Sequence, residues 1–286
     1  MATLANSPAT GTKPKPIVLA LCNDKGGCNK TTGSINIAAE LAQRGFNVLL
    51  VDLDQQGDAT KSLIDEDRQW TGSTGEVLLG EMPLLSALLQ TAIPTLYLLP
   101  SDKEMRGLEQ RLTKERPYDY AHVLNKILVA EAQQFDFIIL DCPGNVGTFT
   151  VLALVAADAY LIPCEPEYYS LDGAKSMVQV AENLMKIGVV QEVIFAGLYF
   201  SPYNERKQNS TIQKEVIKSA HNVFPRQVFN TVREDTGIRK SQLSHIPLVI
   251  ADPMARAVQD YRVLTDDIFR YIHEYQNTHA IEVSNK

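Results

Sequence analysis

Asn23-Asp24-Lys25-Gly26-Gly27-Cys28-Asn29-Lys30-Thr31-Thr32 is the stretch on which the fold turns, because two different hydrophobic periods meet across it. Before it, Ile17 to Cys22 is a short, continuous apolar run of strand length. After it, from Lys30 to Arg44, Ile35, Ala38, Ala39, Leu41 and Ala42 recur at helical spacing, and Gly45 supplies the stop. Val48 to Leu53 then makes a second buried run. Strand, helix and strand in so short a span form a βαβ unit, whose right-handed crossover demands parallel strands.

The alternation continues along the chain. Strands are expected at Thr95 to Leu99, Phe137 to Asp141, Ala159 to Pro163 and Ile194 to Phe200, each a nearly continuous apolar run, as parallel strands covered on both faces require. A helix from Ser170 to Ile187 carries Leu171, Ala174, Val178, Ala181 and Met185 on one stripe and stops at Gly188. A last helix is expected to start with Asp252 as cap and Pro253 in its first turn, burying Val258, Tyr261, Leu264, Ile268 and Tyr271. The fold class is therefore α/β, a mostly parallel central sheet flanked by helices on both faces. One domain is expected over residues 16–278, between flexible tails at 1–15 and 279–286.

Composition excludes several classes. Of 286 residues, 45% are hydrophobic, enough for a packed core. The longest uncharged stretch, Met82 to Ser101, is broken by Pro83, Pro94 and Pro100 and by Gln90, so no spanning helix is expected there. The opening residues MATLANSPATGT show neither a basic start nor an apolar run, which points to a cytoplasmic protein. A net charge of -7 argues against indiscriminate coating of nucleic acid or anionic membrane and leaves room for a local basic patch. Cys22, Cys28, Cys142 and Cys164 form no CxxC pair and read as buried thiols.

The chemistry lies in the quoted loop. A polyphosphate needs inward-facing backbone N–H groups, a lysine for its outer phosphates and a hydroxyl for magnesium, all at a helix N-terminus. Gly26 and Gly27 permit close backbone approach, Lys30 supplies the charge and Thr31 the magnesium ligand. The strict pattern GxxxxGK[ST] is broken twice, with Asp24 at its first glycine and Asn29 at its second. Asn is the non-glycine residue that best tolerates a left-handed backbone, so Asn29 can stand in for glycine.

Lys25-Gly26-Gly27-Cys28-Asn29-Lys30-Thr31-Thr32 resembles the deviant Walker A motif, KGGxGK[ST][ST], of the ParA/MinD family of ATPases. Three further blocks agree in order: Val51 to Thr60 is similar to DLDPQGNAT, Phe135 to Gly144 to the Walker B and switch segment, and Pro163 to Gly173 to P-x-x-P-E-x-x-S-L-x-G. The resemblance runs from about Lys15 to Tyr271. It implies a deviant P-loop fold, ATP and Mg2+ as cofactors, a nucleotide-dependent sandwich homodimer and slow, partner-stimulated hydrolysis. On the matching positions it implies a catalytic set of Lys25, Lys30 and Asp54. Nucleotide contacts are expected from Lys25 through Thr32 together with Asp141 and Gly144, and magnesium contacts from Thr31, Asp54 and Asp141. Lys25 would reach the partner's phosphates. For Asp52 a structural or magnesium-shell role outranks catalysis. Gly144 stands where the family has its second proline, so a looser switch is expected.

The same resemblance implies non-specific binding of double-stranded DNA through the C-terminal third, where Arg226, Arg233, Arg239 and Lys240 are the candidates. The function implied is partition of plasmid or chromosomal DNA, or positioning of a cargo, on the nucleoid through a ParB-like adaptor. Two alternatives belong to the same superfamily. A MinD-like membrane switch would need a basic amphipathic tail, which Asn277 to Lys286 does not supply, and a nitrogenase-type iron protein would need two exposed cysteines.

Overall fold

The computed structural model describes residues 14–284 apart from 66, 106 and 205–209; most of the expected N-terminal tail lies outside the described residues. Seven strands form one sheet: β1 (Ile17–Leu21), β2 (Val48–Asp52), β3 (Leu89–Gln90), β4 (Leu96–Leu99), β5 (Phe137–Asp141), β6 (Ala159–Cys164) and β7 (Ile194–Phe200). Their order is β3-β4-β2-β5-β1-β6-β7. All pairings are parallel except β3 with β4, a two-residue antiparallel edge that no periodicity could announce.

Period-two alternation splits each central strand between two cores. Val18, Ala20, Leu49, Val51, Ile138 and Leu140 face one side, and Leu19, Leu21, Val48, Leu50, Phe137 and Ile139 the other. The first side is covered by α3 (Thr74–Leu79), α4 (Leu84–Ala87), α5 (Leu108–Glu115), α6 (Val123–Glu131), α7 (Thr148–Ala156), α8 (Ser170–Lys186) and α9 (Ser210–Val223). Against the second lie α1 (Lys30–Gln43), α2 (Asp58–Leu63), α11 (Leu248–Ala251) and α12 (Arg256–Ser284), with α10 (Thr236–Leu243) at the rim beside α2. No helix among the described residues is long and apolar enough to cross a membrane.

Topology fixes where a ligand fits. The connection β1-α1-β2 runs one way along the sheet and β5-α7-β6 the other, so right-handed crossovers put α1 and α7 on opposite faces. Between β5 and β1, where the connections diverge, a crevice opens at the carboxyl ends of the strands.

The expected start of the last helix differs. The Asp252 N–H bonds the Leu248 carbonyl at 2.8 Å and so closes α11, while Ala255 N–H bonds the Asp252 carbonyl at 3.0 Å, so helix α12 begins at Arg256. Its backbone continues to Ser284, past the expected boundary at 278. Val258, Tyr261, Leu264 and Ile268 are buried as expected, joined by Phe269 and Ile272, whereas Tyr271 is half-buried.

Gly33 sets how closely α1 sits on the sheet. A Cβ there would lie 2.1 Å from the Tyr199 hydroxyl and 2.9 Å from Leu21 Cδ2, both in fully buried side chains. Gly33→Ala should therefore destabilise the protein by about 1–3 kcal/mol from overpacking, even after alanine's better helix propensity. Removing the nearest atom with Tyr199→Phe should recover much of that loss. Urea unfolding of the two single variants and the double variant measures the coupling; a midpoint unmoved by Gly33→Ala would mean that the helix can lift off β7 freely.

Candidate functional site

A cleft of about 980 Å³ opens at the carboxyl edge of the sheet. Gly26 to Thr32 after β1, Asp54 to Gln56 after β2 and Pro143 to Asn145 after β5 line it, and α10 adds Arg239, Gln242 and Leu243.

The loop after β1 is held in shape by its own side chains. Asn23 Oδ1 accepts the Lys25 N–H at 3.0 Å, and Asn23 Nδ2 donates to the Pro163 carbonyl at 2.7 Å, tying the loop to β6. Gly27 has φ 77. Asn29, at the N-cap of α1, sits in the left-handed region at φ 61 and ψ 29, the conformation that its place in the motif requires. Its side chain is also engaged, since Nδ2 donates to the Ser201 carbonyl beyond β7 at 3.0 Å. The carbonyl of Asn29 accepts the Gly33 N–H at 2.9 Å, which opens the helical ladder.

Lys30 is 6% exposed, and its ammonium donates to the Lys25 carbonyl at 2.9 Å. Cys28 Sγ shares that carbonyl at 3.1 Å. The Lys30 ammonium also reaches Cys28 Sγ at 3.5 Å, and a buried cation held only by neutral acceptors at a helix N-terminus is the electrostatic setting that an anion completes. Lys25 points elsewhere. It does not line the cleft, and its Nζ pairs with Glu165 at 2.8 Å and Glu167 at 3.1 Å. The hydrogen bond to Glu165 raises its pKa, with burial opposing.

Three carboxylates follow the strands. Asp52 is fully buried with both oxygens satisfied: Oδ1 accepts the Asp54 N–H at 3.1 Å, and Oδ2 accepts the N–H and hydroxyl of Thr60 at 2.9 and 2.7 Å. These bonds fasten the start of α2 and give Asp52 structural work. Asp141 is equally buried, but only Oδ1 is bonded, by the Ser34 hydroxyl at 2.9 Å, while Oδ2 has no partner. Desolvation, then the charge of Asp52, pushes its pKa up, and the hydroxyls of Thr31 and Ser34 oppose the rise. A buried oxygen without a donor, beside a threonine hydroxyl at a phosphate-shaped loop, suits a hard cation such as Mg2+. Asp54 is half-buried and lines the cleft, with Oδ1 accepting the Gln56 N–H at 2.9 Å. Gly144 lines it too; a Cβ there would come 3.1 Å from Gly26 Cα, so the switch segment lies directly against the phosphate loop.

The four basic candidates do not form one group. Arg233 forks onto Asp260, with Nη2 at 2.7 Å from Oδ1 and Nε at 2.8 Å from Oδ2, which commits its guanidinium to joining the β7 edge to α12. Arg226 is exposed in the turn after α9. Arg239 and the exposed Lys240 share α10, and Arg239 lines the cleft itself. Sequence reasoning missed Gln242, Leu243 and His245 at the cleft, because their only link to it is α10 lying on α2, where His245 Nδ1 meets the Lys61 carbonyl at 2.7 Å. All four cysteines are buried, with Cys22 and Cys142 sulfurs 3.3 Å apart, which does not fit the exposed ligand pair of an iron protein.

The chain belongs to the ParA/MinD family of deviant Walker A P-loop ATPases. An AAA domain family (AAA_31) matches residues 17–192. The chain is 30% identical over 255 residues to the chromosome partitioning protein ParA of Myxococcus xanthus, covering 88% of each. It is also 30% identical over 253 residues to the sporulation initiation inhibitor protein Soj of Bacillus subtilis, covering 88% of this chain and 97% of that one. Among solved structures, cobyrinic acid a,c-diamide synthase from Mycobacterium smegmatis with bound ATP analog and magnesium superposes with a TM-score of 0.77 at 27% identity, covering 90% of this chain and 95% of that one. The fold is likewise that of the Cyanothece McdA(D38A)-ATP complex, with a TM-score of 0.78 at 21% identity, covering 91% and 97%.

Asn29 combines a backbone demand with a side-chain tie, and two variants separate them. Asn29→Gly keeps the left-handed turn and loses only the bond to Ser201, so ATP binding should weaken by a few-fold at most. Asn29→Val adds a β-branched residue at positive φ, at a strain of about 1–3 kcal/mol, and should weaken binding by roughly tenfold or more. Isothermal titration of ATP into each reads the difference; equal losses would mean that the hydrogen bond alone matters.

Proposed function

We propose that this protein is an ATP-driven switch that closes into a sandwich homodimer, binds double-stranded DNA without sequence preference in that state, and is released by slow ATP hydrolysis. Its work would be to partition plasmid or chromosomal DNA, or to position another cargo, through a ParB-like adaptor. Two observations carry this reading: the buried Lys30 ammonium lines the cleft with only neutral partners, and the buried Asp141 at the end of β5 has an Oδ2 without a partner. Relatives named for chromosome partitioning and for cell division support the cargo role.

Each residue then has a task. The loop from Gly26 to Thr32 cradles the phosphates with backbone N–H groups, and Lys30 neutralises their charge. Thr31, Asp141 and Asp54 would hold Mg2+, which when bound screens the phosphate charge. Asp54, at the mouth of the cleft, orients the attacking water, and Gly144 lets the switch lie against the loop. Lys25 reaches the nucleotide of the facing subunit.

This division of roles predicts different failures. Lys30→Ala should lose nucleotide binding by at least tenfold and lose the dimer with it, whereas Lys25→Ala should bind ATP normally and stay monomeric with ATPγS. Isothermal titration beside sedimentation velocity distinguishes them, and equal loss of binding in both would overturn the assignment. Asp54→Ala should bind ATP and accumulate as dimer; turnover at the wild-type rate would mean that another group orients the water.

Arg239 and Lys240 are the proposed DNA contacts, joined by Arg226 if the dimer aligns them; Arg233 is left to the fold. Retention on non-specific duplex should appear only with ATP and fall steeply with salt, by about 0.9 log units per log unit for each phosphate neutralised. Arg239→Glu should abolish retention. If Arg239→Glu binds DNA as wild type does while still dimerising, the contact surface lies elsewhere.

A further inference from the structure

The Lys25 ammonium is turned away from the cleft and held by two carboxylates of its own chain, Glu165 at 2.8 Å and Glu167 at 3.1 Å. Both stand on the short turn between β6 and α8. That turn is braced: the Glu167 N–H bonds the Glu165 carbonyl at 2.8 Å, and the Ser170 N–H bonds the Glu167 carbonyl at 3.1 Å. The backbone of Lys25 is fixed as well, through Asn23 and through the Lys30 ammonium on its carbonyl. A lysine that must reach another subunit is thus pinned at both ends of its residue.

We propose that Glu165 and Glu167 are positioning residues for Lys25, holding its ammonium within its own subunit until the nucleotide phosphates of a partner take it from them. This rests on the dimer reading above and adds what sets its threshold. The ammonium is given up only to the phosphates of a facing subunit, so an empty protein does not pair.

Magnitude sorts the two carboxylates. Glu165 is 27% exposed and Glu167 64% exposed, so Glu165 contributes more of the hold. A largely exposed ion pair is worth at most about a factor of five in an equilibrium. Two lysines are freed per dimer, so the effect is squared, up to about 25-fold in the dimer dissociation constant.

The test compares wild type with Glu165→Gln/Glu167→Gln by sedimentation velocity over a protein concentration series with Mg-ATPγS. The variant should dimerise at a dissociation constant roughly 5- to 25-fold lower, with the ATPγS affinity of the monomer unchanged, and Glu165→Gln alone should give most of the gain. In about 1 M salt, where the screening length falls to about 3 Å, the ratio of wild type to variant should shrink toward one. Without nucleotide, acylation of Lys25 by an amine-reactive ester, followed by mass spectrometry, should be faster in the variant. An unchanged dimer constant overturns the proposal, and so does a weaker dimer, which would place the carboxylates against the partner. If the double variant is unstable to heating, Glu167→Gln, at the more exposed position, serves alone and should still give a measurable gain. A wild type that stays monomeric with ATPγS overturns the dimer reading itself, an outcome separate from a wild type that dimerises with no difference between the proteins.

Discussion

Asp52 and Asp141 end adjacent parallel strands as register partners, and both carboxyl groups are removed from water. Burial raises both pKa values, and the like charge of Asp52 lifts Asp141 further. The rest of the site follows from how unequally the two are compensated. Three donors from Asp54 and Thr60 satisfy Asp52, and in doing so they place the first turn of α2 and leave Asp54 at the cleft. Asp141 has one donor and one bare oxygen. A carboxyl whose pKa rises on folding makes the folded state less stable as pH climbs past its unfolded value, and a cation at the bare oxygen reverses that cost. The fold thus keeps one carboxylate for structure and leaves the other in need of a partner.

What could be read in advance was whatever depends on neighbours in sequence. Buried parallel strands announce themselves as apolar runs, and the runs at Phe137 to Asp141 and Ile194 to Phe200 match β5 and β7 residue for residue. The left-handed turn at Asn29 followed from its place before Lys30. Contacts across the fold left no local trace. Asn29 meets Ser201 at a separation of 172 residues, Lys25 meets Glu165 at 140, and Arg233 meets Asp260 at 27. For Arg233 this changed its role, because an arginine in a polar segment looks solvated until its carboxylate is known. The start of α12 was misplaced for a different reason: Asp-Pro is a strong helix-start signal, but here the same aspartate ends the helix before it.

Helix α10 joins two regions that the sequence presented as separate. Its Arg239 faces the cleft and the next residue, Lys240, faces solvent. His245, just beyond it, bonds the Lys61 carbonyl on α2, and α2 begins after the Asp54 to Gly57 turn at the mouth of the cleft. Asp54 and the basic face are thus separated by only one short helix and one hydrogen bond. The proposed nucleotide control of DNA binding needs no longer route than this, since both groups of residues sit on elements packed against each other.

The chain departs from the strict phosphate-loop pattern at Asp24 and Asn29 and from the family's switch segment at Gly144, and each departure is matched by what it touches. Asp24 replaces a glycine, and it is accommodated because Gly173 at the start of α8 has no side chain: a Cβ there would lie 2.9 Å from Asp24 Oδ1. Asn29 replaces the second glycine and secures its left-handed backbone with a bond to Ser201. Gly144 replaces a proline, and the space this leaves is taken by Gly26 of the phosphate loop. A proline ring at 144 would press on Gly26 and on Lys30, so the looseness that a glycine brings to the switch is offset by contact with the loop. In all three places a change at one position is matched by the residue it meets, which is how a loop that fails the strict pattern still presents Lys30 and Thr31 to the cleft.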